Sequence, residues 1–134
     1  MIGVVIITHG QFGQELLRTS EEIIGRQDSV MAISLTHQTG RDHVSQSLDQ
    51  AIAQWGSGGL LILVDMLGGT PCNTSLLKAK TIEAEIVTGV NLYMLLSAFR
   101  HRGELDLKAL AAKSAEDGKR AIVLAKDLLA KRVG

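Results

Sequence analysis

Four short runs, two of them wholly aliphatic, constrain this chain more than any other feature. Gly3–Ile7, Val30–Leu35, Leu60–Val64 and Glu85–Thr88 all have strand length, and the first and third carry no polar side chain. Such a run has no side to give to water, so it predicts a strand covered on both faces, as in parallel sheets. Between the runs, small and apolar residues recur at helical spacing. Leu16, Leu17, Ser20, Ile23 and Ile24 form one stripe that stops at Gly25, and Val44, Leu48, Ala51, Ile52 and Trp55 form another closed by Gly56. Pro71 to about Lys78 predicts a short helix, and Val90–His101 a further one. Leu107–Arg132 predicts a last helix with a break at Gly118. Strand and helix alternate four times, the pattern of an α/β protein. Right-handed crossovers then give one three-layer domain over residues 1–134, with an open, mainly parallel β-sheet and helices on both faces.

Composition narrows the function. The chain is 46% apolar but only 3% aromatic, so its core is aliphatic. Fourteen Lys and Arg balance fourteen Asp and Glu. A nucleic-acid binder would show a basic excess and exposed stacking aromatics, so nucleic acid is not an expected partner. The zero balance conceals a split, because residues 1–90 carry 5 basic and 9 acidic side chains and residues 91–134 carry 9 and 5. That split either orients a partner or marks a solvated basic face on the last helix. The single cysteine, Cys72, excludes an internal disulfide. The first apolar run is too short for a signal peptide or a membrane span, so a soluble cytoplasmic protein is expected.

In an open parallel sheet, ligands bind at the carboxyl ends of the strands. Thr8, His9 and Gly10 follow the first run, and Thr36, His37, Gln38 and Thr39 the second. Asp65 through Asn73 follow the third, and Gly89, Val90 and Asn91 the fourth. If the first and third strands are neighbours, His9 and Asp65 rise from the same edge. A carboxylate that holds one imidazole nitrogen fixes the tautomer and frees the other nitrogen as a nucleophile. Gly10 leaves room for a bulky group to approach. Gly68 and Gly69 let the backbone turn its N–H groups toward an anion, while Thr70 suits an N-cap and Pro71 the first helical position. A helix starting there aims its positive end at the strand termini, a phosphate site. The chemistry implied is a phosphoryl group passing to and from a histidine.

Plainer readings stand beside these. A histidine after a strand is often structural, Asp65 can simply cap a turn, and Gly-Gly is a generic loop signal. His37 reads as a polar loop residue that could also line the crevice. His43 and His101 sit at helix ends with structural roles, and Cys72 reads as a small filler. No local spacing supports a metal site, and no cofactor is expected. There is no Gly-x-x-x-x-Gly-Lys-Ser/Thr loop, and no Gly-x-Gly-x-x-Gly after the first strand.

Three segments carry a resemblance. Ile6-Ile7-Thr8-His9-Gly10, Leu63 through Asn73, and Gly89-Val90-Asn91-Leu92 are similar in order and spacing to the mannose-type IIA component of the bacterial sugar phosphotransferase system. The resemblance implies a phosphocarrier of the transferase class, with kinase-type chemistry. A histidine matching His9 takes a phosphoryl group from HPr, by family habit on Nε2, and passes it to a IIB component. Membrane IIC and IID components then complete sugar transport. Asp65 matches the carboxylate that pairs with the imidazole. Gly10, Gly68, Gly69 and Thr70 match the phosphate-binding positions, with Thr70 standing where serine is usual. Leu67 and Cys72 stand where aromatics are common, and Tyr93 where proline is. The resemblance further implies a homodimer and, with no IIB segment following, a free-standing IIA. Two alternatives share the same histidine: a regulatory sensor of phosphorylation state without transport, and a phosphotransfer subunit of a dihydroxyacetone kinase.

Overall fold

The computed structural model describes residues 1–38, 41–66, 73, 77–80 and 82–133. Its elements, in chain order, are β1 (Gly3–His9), α1 (Phe12–Ile24), β2 (Val30–Leu35), α2 (Arg41–Trp55), a 3-10 turn (Gly56–Gly58), β3 (Leu60–Val64), β4 (Ala84–Thr88), α3 (Leu92–His101), α4 (Leu107–Arg120) and α5 (Ala125–Val133). The strands form one sheet in the order β2-β1-β3-β4, and every pairing is parallel. The α/β architecture expected from the sequence is therefore the one observed.

β1 and β3 are central because they can afford no exposed face. Val4, Val5, Ile6, Ile7 and Leu60 through Val64 are all buried. Alternation of side chains then supplies two cores from the same strands. Val4, Ile6, Leu61 and Leu63 pack on one face with Leu95, Ala98 and Leu110 from α3 and α4, and with Leu16 and Leu17 from α1. Val5, Ile7, Leu60, Ile62 and Val64 pack on the other with Val44, Leu48 and Ala51 of α2. Each fully buried Leu, Ile or Val contributes roughly 1.5–3 kcal/mol against exposure, so the two central strands dominate the stability.

Several boundaries differ from the sequence expectation, and β4 begins one residue earlier than expected, at Ala84. β1 continues through Thr8 and His9, whose register with Ser34 and Leu35 extends the ladder past the apolar run. α3 starts at Leu92, later than Val90, because Asn91 caps it: its side-chain oxygen accepts the Met94 N–H at 2.9 Å. The last helical stretch breaks after Arg120 and not at Gly118. Gly118 stays helical, and a Cβ there would lie 2.9 Å from Met94 Cε and 3.1 Å from Met94 Cβ. It is a close-packing position between α3 and α4. The helix expected from Pro71 falls mostly outside the described residues. Asn73 and residues 77–79 are helical, and Lys78 Nζ lies 2.7 Å from Asp49 of α2.

At the amino end of the sheet, the buried Arg102 ties three segments together. Its guanidinium donates to the carbonyls of Ile2 at 3.3 Å and Ser29 at 3.1 Å, to the carbonyl of Asp28, and to Gln27 Oε1 at 3.4 Å. It also lies 5.1 Å from the centre of the Phe99 ring. Burial, only partly countered by Asp28, draws its pKa below the usual arginine value.

Candidate functional site

The carboxyl edge of the sheet is built by two residues that point opposite ways at the end of β1. Thr8 turns inward and is fully buried, and its hydroxyl accepts the Gly13 N–H at 2.7 Å. That bond fixes the first turn of α1 against the strand. A Cβ on Gly13 would lie 2.9 Å from the same hydroxyl oxygen and 3.1 Å from Ile6 Cγ2, so glycine permits this approach. His9, next along the pleat, turns outward and stays 61% exposed. Gly10 then takes a φ of +56°, in the left-handed region that favours glycine, and donates its N–H to Leu35 O at 2.7 Å. A Cβ at Gly10 would meet open space, so its contribution here is the turn.

β3 brings the carboxylate. Val64 is in register with Ile7, and the next residue, Asp65, reaches across to His9. Asp65 Oδ2 accepts the His9 backbone N–H at 2.9 Å and lies 2.9 Å from His9 Nδ1. Its other oxygen accepts the Met66 N–H at 2.9 Å. One carboxylate oxygen thus faces the imidazole, while the other holds the main-chain N–H of the next residue. Burial by itself would raise the Asp65 pKa, but the His9 N–H, the His9 ring and the Met66 N–H together outweigh it and hold the carboxyl below its ordinary value. An ionised carboxylate facing Nδ1 selects the tautomer protonated there, which leaves Nε2 with the nucleophilic lone pair.

Of the other candidates, His37 is exposed two residues beyond Leu35, the register partner of His9, so it stands at the same edge. His43 lies in the first turn of α2. His101 lies in the last turn of α3, with Nδ1 3.8 Å from Glu104. Gly68, Gly69, Thr70 and Pro71, proposed from sequence to form the anion loop, and Cys72, read as a small filler, lie outside the described residues. Among the described residues, no group of three or more His, Cys, Asp or Glu could hold a metal ion. None of the described helices is long and apolar enough to cross a membrane.

The sequence reading did not find two polar anchors. Asn91, besides capping α3, donates from Nδ2 to Gly118 O at 3.0 Å, which joins the start of α3 to the end of α4 at this same edge. Ser97 donates to Asp117 at 2.6 Å, and this bond foremost, with Lys113, holds the Asp117 carboxyl below its usual value. An asparagine just before an apolar helix was a legible cap signal. The partner of Ser97, twenty residues away, had none.

Comparison with known proteins adds the following. Residues 3–115 match the family described as "PTS system fructose IIA component". The PTS system mannose-specific EIIAB component of Escherichia coli (strain K12) is 30% identical over 127 residues, covering 90% of this chain and 39% of that protein. This chain therefore spans well under half of that relative's length. The PTS system fructose-specific EIIA component of Bacillus subtilis (strain 168) is 32% identical over 112 residues, covering 82% of this chain and 77% of that one. Among solved structures, phosphotransferase system component EIIA from Streptococcus agalactiae superposes with a TM-score of 0.89 at 27% identity, over 95% of this chain and 99% of that one. The mannose/sorbose specific IIA subunit from Enterococcus faecalis does so with a TM-score of 0.82 at 26% identity, over 90% and 92%.

Proposed function

The chain belongs to the PTS fructose IIA family, a family of sugar phosphotransferase components, and from this premise we propose that it is a histidine phosphocarrier. His9 takes a phosphoryl group from HPr and passes it to a IIB component. The observation that carries this reading is the 2.9 Å contact between His9 Nδ1 and Asp65 Oδ2 on an otherwise exposed imidazole.

The step follows from that contact. The Nε2 lone pair of His9 attacks phosphorus and forms the new P–N bond. The P–N bond to the donor's imidazole breaks, and its electron pair returns to the donor's nitrogen. The Nδ1 proton remains in the hydrogen bond to Asp65, whose negative charge offsets the positive charge left on the phosphorylated ring. The next transfer runs the same sequence with Nε2 as the leaving nitrogen. α1 begins three residues after His9, so its positive end lies at the strand edge where the phosphoryl charge arrives. Gly10, Gly68, Gly69 and Thr70 complete the phosphate site in this proposal, on the strength of their match to the family motif.

Membrane IIC and IID components, a cytoplasmic location and a homodimer belong to the same proposal. The dimer is supported by exposed Ile122, Val123, Leu124 and Leu129, an apolar group large enough to ask for cover. The test of function is phosphoryl transfer from HPr and its kinase: the wild type takes label and His9→Ala does not. Label persisting in His9→Ala overturns the assignment.

A further inference from the structure

A groove of about 570 Å³ lies along α3 and α4, with the end of α1 and part of α5 as its sides. The sequence of α3 sets its long axis. Leu92, Leu96 and Arg100 stand at i, i+4 and i+8, so they form one row ~12 Å long on the helix surface. The row is apolar where it starts and cationic where it ends. Ile23, 53% exposed, and Leu128, 42% exposed, widen the apolar part. Arg120, in the last turn of α4, adds a second guanidinium. Neither His9 nor Asp65 lines this groove, so it is separate from the strand-end site.

The groove's cations are not consumed by its own acid. Asp117 is the one carboxylate among the lining residues, and both its oxygens are occupied, by Ser97 at 2.6 Å and by Lys113 at 3.3 Å. Arg120 meets Glu116 through Nε alone, at 3.0 Å, which leaves its two terminal nitrogens as donors. Arg100 has no acidic partner among the described residues. Forked donors at the end of an apolar trough match a carboxylate head on an apolar body. A sugar would leave most of its hydroxyls unpaired against this wall. A second copy offers the wrong charge, because its exposed apolar helix α5 carries Lys126, Lys131 and Arg132 against Asp127 alone. We propose that the groove binds a small amphiphilic anion, a medium-chain acyl carboxylate. Its chain lies along Leu92 and Leu96, and its head meets Arg100 and Arg120. The inference is independent of phosphoryl transfer at His9 and adds a ligand site on the opposite side of α3 from the sheet.

The experiment titrates decanoate, below its micelle-forming concentration, into the full chain labelled at its Ile and Leu methyl groups for NMR. The expected result is saturable binding that shifts the methyls of Ile23, Leu92, Leu96 and Leu128. Decyltrimethylammonium, a comparable chain of opposite charge, is expected to bind at least ~10-fold more weakly. The same loss is expected for decanoate with the double variant Arg100→Gln/Arg120→Gln, whose exposed side chains leave the fold intact by circular dichroism. His9→Ala is expected to bind decanoate as the wild type does. Absent or non-saturable binding overturns the site. Equal affinity for the two amphiphiles overturns it, because apolar adhesion alone then explains the binding. Unchanged affinity in the arginine variant overturns the stated head contacts. Shifts centred on Ile122, Leu124 and Leu129 move the ligand to the face of α5 and overturn the groove. Loss of binding in His9→Ala moves it to the strand-end site and overturns the groove as well.

Discussion

A single carboxylate oxygen, Asp65 Oδ2, receives both the main-chain N–H and the ring of His9. The main-chain bond fixes where the strand ends, and the ring bond fixes which nitrogen is nucleophilic. Asp65→Asn keeps the shape but loses the charge that faces the phosphorylated ring. A hydrogen bond to a charged group contributes about 1.5–3 kcal/mol, so phosphoryl acceptance is expected to slow ~10–100-fold in a rapid-quench measurement, with the fold unchanged by circular dichroism. The pH behaviour has a definite sign. A carboxyl with a folded pKa below 3.8 adds stability that is complete above the unfolded value and is lost as pH falls through the folded one. The Asp65 carboxyl carbon is thus expected to titrate by NMR below 3.8, and to move upward in His9→Ala, which removes the ring but retains the backbone N–H. A midpoint unchanged between the two proteins contradicts the pairing. This pair was legible in the sequence because Asp65 directly follows one apolar run and His9 comes one residue after another, and a parallel sheet makes strand ends neighbours. The double use of one oxygen was not legible, because it depends on a register between residues 56 positions apart.

Between elements, the contact that matters most to the site is α1 against β1. Thr8→Val removes the acceptor for the buried Gly13 N–H at nearly constant volume. The unmet donor is expected to cost about 1–3 kcal/mol in urea denaturation. Gly13→Ala pushes the helix off the strand, and overpacking of about 1–3 kcal/mol outweighs the gain of up to ~1 kcal/mol in helix propensity. Strand and helix types were readable from periodicity, since a continuous aliphatic run and a 3.6-residue stripe are different patterns. Their ends were less so. Thr8 and His9 are polar, which suggests a loop, yet the ladder continues through them because Ser34 and Leu35 supply partners. Gly118 looks like a helix breaker in one dimension, whereas in three it is where Met94 comes close.

For the molecule as a whole, the sheet separates a stabilising end from the end that carries the proposed transfer site. Arg102 closes the amino end by satisfying carbonyls from the start of β1 and from the turn before β2. Arg102→Ala is expected to lower stability by roughly 2–3 kcal/mol in thermal or urea unfolding, while at low temperature phosphoryl acceptance by His9 persists. Nothing in the sequence singled out this arginine, since its partners are main-chain carbonyls that any residue would provide. The carboxyl end leaves its histidine exposed to solvent, as the proposed exchange with two partners in turn requires. The most direct test of this account is heteronuclear NMR of the ¹⁵N-histidine-labelled protein after reaction with HPr and its kinase. The account predicts a phosphoryl group on Nε2 of His9, with the Nδ1 proton still hydrogen-bonded to Asp65. A phosphoryl group on Nδ1 of His9, or on any other residue, would contradict it.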